Sequence, residues 1–101
     1  LPKFGDIAEG NPELAKKFFD WYGAVFEAGA LSEREKSLIA LAVSHALQCP
    51  YCIDAYSKDA LEKGSDLEEM TEAIHVASAI RGGASLVHGV QMLEHVRDLS
   101  M

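Results

Sequence analysis

Helix-start signals recur along this chain at Asn11-Pro12, Ser32–Glu35, Cys49-Pro50 and Ser65–Glu68, and no strand alternation bounded by hairpin turns lies between them. Asparagine can cap the first free amides of a helix, and proline at the first helical position needs no donor. The spacing predicts a first helix that carries Leu14, Phe18, Trp21, Tyr22, Val25 and Phe26 and ends near Gly29. Ser32 and Glu35 form a capping box, opening a second helix, expected to be mostly buried, through Leu38, Leu41, Val43 and Leu47. Pro50 forces a break at Cys49 and starts a third helix to Lys63, with Gly64 as a left-handed cap. A fourth helix follows, capped by Ser65 with Glu68 or by Asp66 with Glu69, and runs to Gly82-Gly83. A further helical segment spans Ala84 to Leu99. The class is all-α, with short loops that favour antiparallel packing of successive helices.

A chain of 101 residues reads as one domain, 1–101, and its opening leucine leaves room for a short upstream segment. A domain of this size buries only roughly 60 to 65% of its unfolded surface, so association with other subunits is a natural way to enlarge the core. The net charge of -7 gives no basic footprint for nucleic acid. The longest apolar run, Leu38 to Leu47, is interrupted by Ser44 and His45 and is too short to be a membrane span. With no secretory leader pattern, the expected location is the cytoplasm.

Two cysteines do not make a disulfide framework at this length, so their chemistry is the question. Cys49 falls at the N-cap of a proline-started helix, where free amides and the helix dipole lower a thiol's pKa. Cys52 lies three residues on, within reach of a disulfide once the helix end adjusts. The pair suits a reversible dithiol, in which one sulfur is oxidised to sulfenic acid and the other resolves it. Core packing is a competing reading. Zinc is another, and would need two further ligands, drawn from His45, His75 or His88.

His45, four residues before Cys49, is a candidate base or proton relay, weighed against a core histidine bonded to backbone. Tyr56, four residues beyond Cys52, could bring a phenol to the sulfur as an orienting donor. Asp54 and Lys58 read as a solvated pair, and Arg81 as a helix terminator or an anion contact. The aromatic residues Phe18, Phe19, Trp21, Tyr22 and Phe26 cover too wide an arc for one inward stripe. They point to core on one side and a subunit contact or substrate lining on the other.

The stretches LSEREKSLIALAVSHALQCPYCIDAY and LEKGSDLEEMTEAIHVASAIRGGASLVHG, roughly Leu31 to Met92, resemble the carboxymuconolactone decarboxylase superfamily on its alkylhydroperoxidase AhpD-like side. Within it the likeness is to peroxidase-like proteins associated with arsenosugar biosynthesis. The resemblance implies an AhpD-like helical bundle, a trimer or hexamer of identical chains, and a disulfide-forming CxxC that reduces a hydroperoxide substrate. It makes Cys52 the peroxide-attacking cysteine and Cys49 the resolving one. The family's relay glutamate falls at Ser37 and its histidines at Tyr51 and Tyr56, so the usual relay is missing. His45 is the candidate substitute. No flavin, nicotinamide or haem motif is visible, so no cofactor is expected and electrons should arrive from a thiol reductant or a redox partner protein. The rival reading is a non-catalytic oligomeric protein whose dithiol senses oxidation or captures an arsenical, and a third is a structural helper for a biosynthetic enzyme.

Overall fold

The computed structural model describes residues 4–100, and the order is one 3-10 turn followed by four α-helices. The turn spans Phe4–Glu9, with α1 at Pro12–Phe26, α2 at Glu33–Ala46, α3 at Pro50–Glu62 and α4 at Leu67–Ser100. Asn11 caps α1 by accepting from the Leu14 amide at 3.1 Å, and α1 ends at Phe26, three residues before the expected Gly29. At α2 the capping box is complete: Glu35 N–H donates to Ser32 Oγ at 3.0 Å, and Ser32 N–H to Glu35 Oε1 at 2.9 Å. At α4 the box is Asp66 with Glu69 rather than Ser65 with Glu68, with mutual bonds of 2.8 and 3.0 Å.

Helix α2 is the hub, packed against both α3 and α4. Two polar contacts fix α4 on it. Arg34 near the start of α2 pairs with Glu69 near the start of α4, and the Arg81 guanidinium donates to the carbonyl of Ala46, the last residue of α2. Both helices advance twelve residues between these rivets, so α2 and α4 run parallel over about 18 Å. The fourth helix therefore lies chiefly on α2 and not on its chain neighbour α3. Leu41, Ala60 and Met70 form the core of this arrangement, joined by Leu38 and Tyr56.

Gly82-Gly83 do not end a helix. No proline follows them, Gly64 is the only described glycine with positive φ, and α4 continues unbroken for 34 residues. The cost of helical glycine, about 1 kcal/mol each relative to alanine, is met without a break. Beyond Arg81 the helix overhangs the end of α2 by roughly 28 Å. From Ala84 to Ser100 every residue except Gly89 is exposed, and Leu86 stands 79% open.

Nor is α2 mostly buried. Ile39, Val43 and Leu47 are exposed in the single chain, since α3 and α4 cover only the side that holds Ser37, Leu41 and Ser44. The radius of gyration is 18.8 Å, against about 13 Å for a compact chain of this length.

Candidate functional site

The turn between α2 and α3 is a Schellman motif followed at once by an N-cap. The Cys49 amide donates to Ser44 O at 3.0 Å and the Gln48 amide to His45 O at 3.1 Å, with Gln48 in the left-handed region at φ 55. Cys49 thus closes α2 through its backbone. Its sulfur opens α3, accepting from the Cys52 amide at 3.3 Å, with Pro50 at the first helical position.

This placement sets the two thiols apart electrostatically. The hydrogen bond shared with the Cys52 thiol holds Cys49 below the usual cysteine range, and the amides of Cys52 and Tyr51 add to it. The same shared bond, then burial and the negative charge of Cys49, pushes Cys52 up. The first proton lost therefore leaves charge on Cys49, with Cys52 donating to it. Neither cysteine is in a disulfide, and both are half-buried.

Cys52 and Tyr56 open onto a cavity of about 600 Å³ between the end of α1, the α1–α2 loop, α2 and α3. Its walls are apolar apart from Ser44, Tyr56, the sulfur and one ammonium, that of Lys36. Tyr56 stacks on Phe26 with ring centres 5.5 Å apart and an interplanar angle of 21°. Phe26 ends a chain of aromatic contacts that starts at Phe4 and runs through Phe19, Phe18 and Tyr22. One side of the aromatic group is thus wall for the cavity, while Trp21 is exposed.

His45 is placed differently from Tyr56. Its Nδ1 lies 2.8 Å from Leu41 O and donates to it, which leaves only Nε2 as an acceptor, and His45 is not part of the cavity wall. The family's glutamate position, Ser37, is fully buried and its hydroxyl donates to Arg34 O at 2.7 Å. Arg81 acts as the cap of α2 described above. His75, His88 and His95 are exposed on α4. Among the described residues no group of three or more His, Cys, Asp or Glu side chains is placed to hold a metal, and no helix is long and apolar enough to cross a membrane.

Two residues escape a reading by sequence spacing. Burial raises the Tyr22 phenol first, and the negative charges of Cys52, Asp59 and Cys49 raise it further, so α1 brings a second tyrosine into the field of the dithiol. Lys36 was hidden in the same way. Each reaches the site from another helix, and nothing local signals it.

The profile of the carboxymuconolactone decarboxylase family matches residues 12–95. A Paracoccus denitrificans protein described as uncharacterized protein 4 in the cox locus is 38% identical over 89 residues, covering 88% of this chain and 80% of that protein. A crystal structure of a Methanobacterium thermoautotrophicum protein superposes with a TM-score of 0.81 at 37% identity, covering 85% of this chain and 97% of the other. The apo structure of a carboxymuconolactone decarboxylase family protein from Legionella pneumophila gives 0.72 at 32% identity, covering 92% and 83%.

Proposed function

The chain belongs to the carboxymuconolactone decarboxylase family, and from that premise we propose that it is a CxxC-dependent thiol peroxidase that cycles through a Cys49–Cys52 disulfide. The observation that carries the reading is the helix junction: Cys49 Sγ caps α3 beside the Cys52 amide, while Cys52 meets the cavity. Such a junction also answers the missing relay. A Cys49 thiolate hydrogen-bonded to the Cys52 thiol can take its proton, which lets Cys52 attack without the glutamate that Ser37 replaces.

In the cycle, the Cys52 thiolate attacks one peroxide oxygen and the O–O bond breaks. The leaving alcohol takes the proton held on Cys49, and Cys52 becomes a sulfenic acid. Cys49, again a thiolate, attacks that sulfur; the S–S bond forms and the hydroxide released takes a proton from solvent. An external dithiol or a reduced partner protein restores both thiols. Tyr56 orients the peroxide from the cavity wall, and His45 acts only through Nε2.

Identical chains complete the structure in this proposal, as a trimer or hexamer. The support is the bare outer half of α4 and the radius of gyration of 18.8 Å. Light scattering on wild type and on Val90→Asp/Leu93→Asp tests it: a single-chain mass for the wild type would rule it out.

The chemical test is intact-mass analysis of the reduced protein titrated with hydrogen peroxide, cumene hydroperoxide and trivalent arsenic, beside Cys49→Ser and Cys52→Ser. Peroxide should remove two hydrogens from wild type, whereas in Cys49→Ser, which lacks the thiolate that takes the Cys52 proton, a sulfenic acid should be trapped on Cys52 only slowly at neutral pH and faster as pH rises. One-to-one arsenic addition with thiols that peroxide leaves intact would replace this reading with arsenical capture between two soft thiolates.

A further inference from the structure

We infer that the cavity beside Cys52 binds an elongated apolar carboxylate, its anionic head on Lys36 and its chain running along α2 toward the sulfur. In the peroxidase this makes the substrate a carboxylate-bearing organic hydroperoxide, and that part rests on the function proposed above.

The size of the site is the first ground. A volume of about 600 Å³ lies in the range of built ligand sites. Hydrogen peroxide is little larger than a water molecule, whose share of liquid volume is about 30 Å³, and it would leave these walls almost wholly unused. Their apolar surface selects a hydrocarbon body.

The second ground is the charge. Lys16, Lys17, Lys58 and Lys63 each pair with a carboxylate four residues away in the chain. Lys36, alone among the described lysines, has no carboxylate partner and is the one charged residue on the cavity wall. Its ammonium donates to Val25 O at 2.8 Å and to Glu27 O at 2.6 Å, which fixes the head against the end of α1 and leaves a third N–H uncommitted. A cation in an apolar cavity is complementary to an anionic group, and in a chain of net charge -7 it is an uncommon attraction for one.

The third ground is direction. Lys36, Ile39, Ala40 and Val43 form one stripe along α2 that Leu47 continues just past its end, and Cys52 is tied to the Ser44 end of it, since the Cys49 amide donates to Ser44 O and the Cys52 amide to Cys49 Sγ. From Lys36 to Ser44 the helix rises about 12 Å, so a chain on the order of ten carbons spans the stripe from its Lys36 end to its Ser44 end. The peroxide would sit mid-chain.

Binding is tested apart from turnover, with cis-parinaric acid and its methyl ester as fluorescent probes that carry no peroxide. The acid should bind roughly tenfold more tightly than the ester. Lys36→Gln, which keeps donors for the two carbonyls but removes the charge, should abolish this preference, and Lys36→Arg should restore it. Bound parinaric acid should also slow alkylation of Cys52 more than that of Cys49. Equal binding of acid and ester, or a preference that survives Lys36→Gln, overturns the inference. Failure of both probes to bind overturns it too. Acid-selective binding without peroxide turnover upholds the ligand class and rejects the peroxidase instead.

Discussion

Helices α2 and α3 end in the same backbone motif, but with different residues at the bend. At the end of α3, Gly64 takes φ 93, the Ser65 amide reaches Ala60 O and the Gly64 amide reaches Leu61 O. At the end of α2, Gln48 takes φ 55 and the same two bonds are made by Cys49 and Gln48. Glycine holds this conformation at no steric cost, whereas a side chain at positive φ costs about 1 kcal/mol. The strained copy is the one that delivers the dithiol. Backbone strain collected at a functional site and relieved at a scaffold turn is the expected division, and here the two cases flank one short helix, α3.

The difference can be broken first at the sulfur. Cys49→Ala should abolish the peroxide-driven loss of two hydrogens altogether, read by intact mass, whereas Gly64→Ala should leave that cycle running. A Gly64→Ala cycle as dead as that of Cys49→Ala would mean that the two bends are not separable.

Stability sharpens the contrast at the scaffold bend. Gly64→Ala should cost about 1–2 kcal/mol in urea unfolding, because alanine must enter the left-handed region while nothing crowds its Cβ. A cost near zero would show that the α3 bend relaxes.

The pH dependence should distinguish the bends next. The folded-state pKa of Cys49 lies below its unfolded value, so its contribution is present above the ordinary cysteine pKa of about 8.5 and is lost as pH falls through the folded value. Cys52, raised, contributes below that same pKa and loses its contribution as pH rises beyond it. Under reducing conditions the urea midpoint should therefore climb toward about pH 8.5 and then decline. Cys49→Ser should remove the climb. Thiolate absorbance should show one proton leaving below the ordinary range and the second above it.

The smallest effect belongs to Gln48→Gly, which should stabilise by roughly 0.5 kcal/mol, the relief of strain being partly offset by a looser unfolded chain. Thermal melts under reducing conditions would measure it, and destabilisation would mean that the glutamine side chain holds the turn.

Much of this was legible because helix ends are written locally. Asn11-Pro12, Ser32 with Glu35, and Cys49-Pro50 each carry donors and acceptors within three residues, and all three open helices as the sequence indicates. Gly82-Gly83 misled for the opposite reason. Glycine permits a left-handed cap without enforcing one, and here the chain keeps its helical bonds through both glycines while α4 runs on. The left-handed Gln48 carries no signal in its own residue type and shows only in the pair of bonds around it. Tyr22 and Lys36 converge on the cavity and dithiol from separate helices, so no spacing rule joins them to Cys52.

The double duty of Cys49 also fixes a length. Its amide is measured from Ser44 and its sulfur is measured to Cys52, so the nine residues from Ser44 to Cys52 form one closed count. Tyr51, exposed inside that window, can change its side chain freely, but one residue inserted or deleted would free either the end of α2 or the start of α3. Relatives that keep this junction should therefore vary in spelling across the window and never in its number of letters.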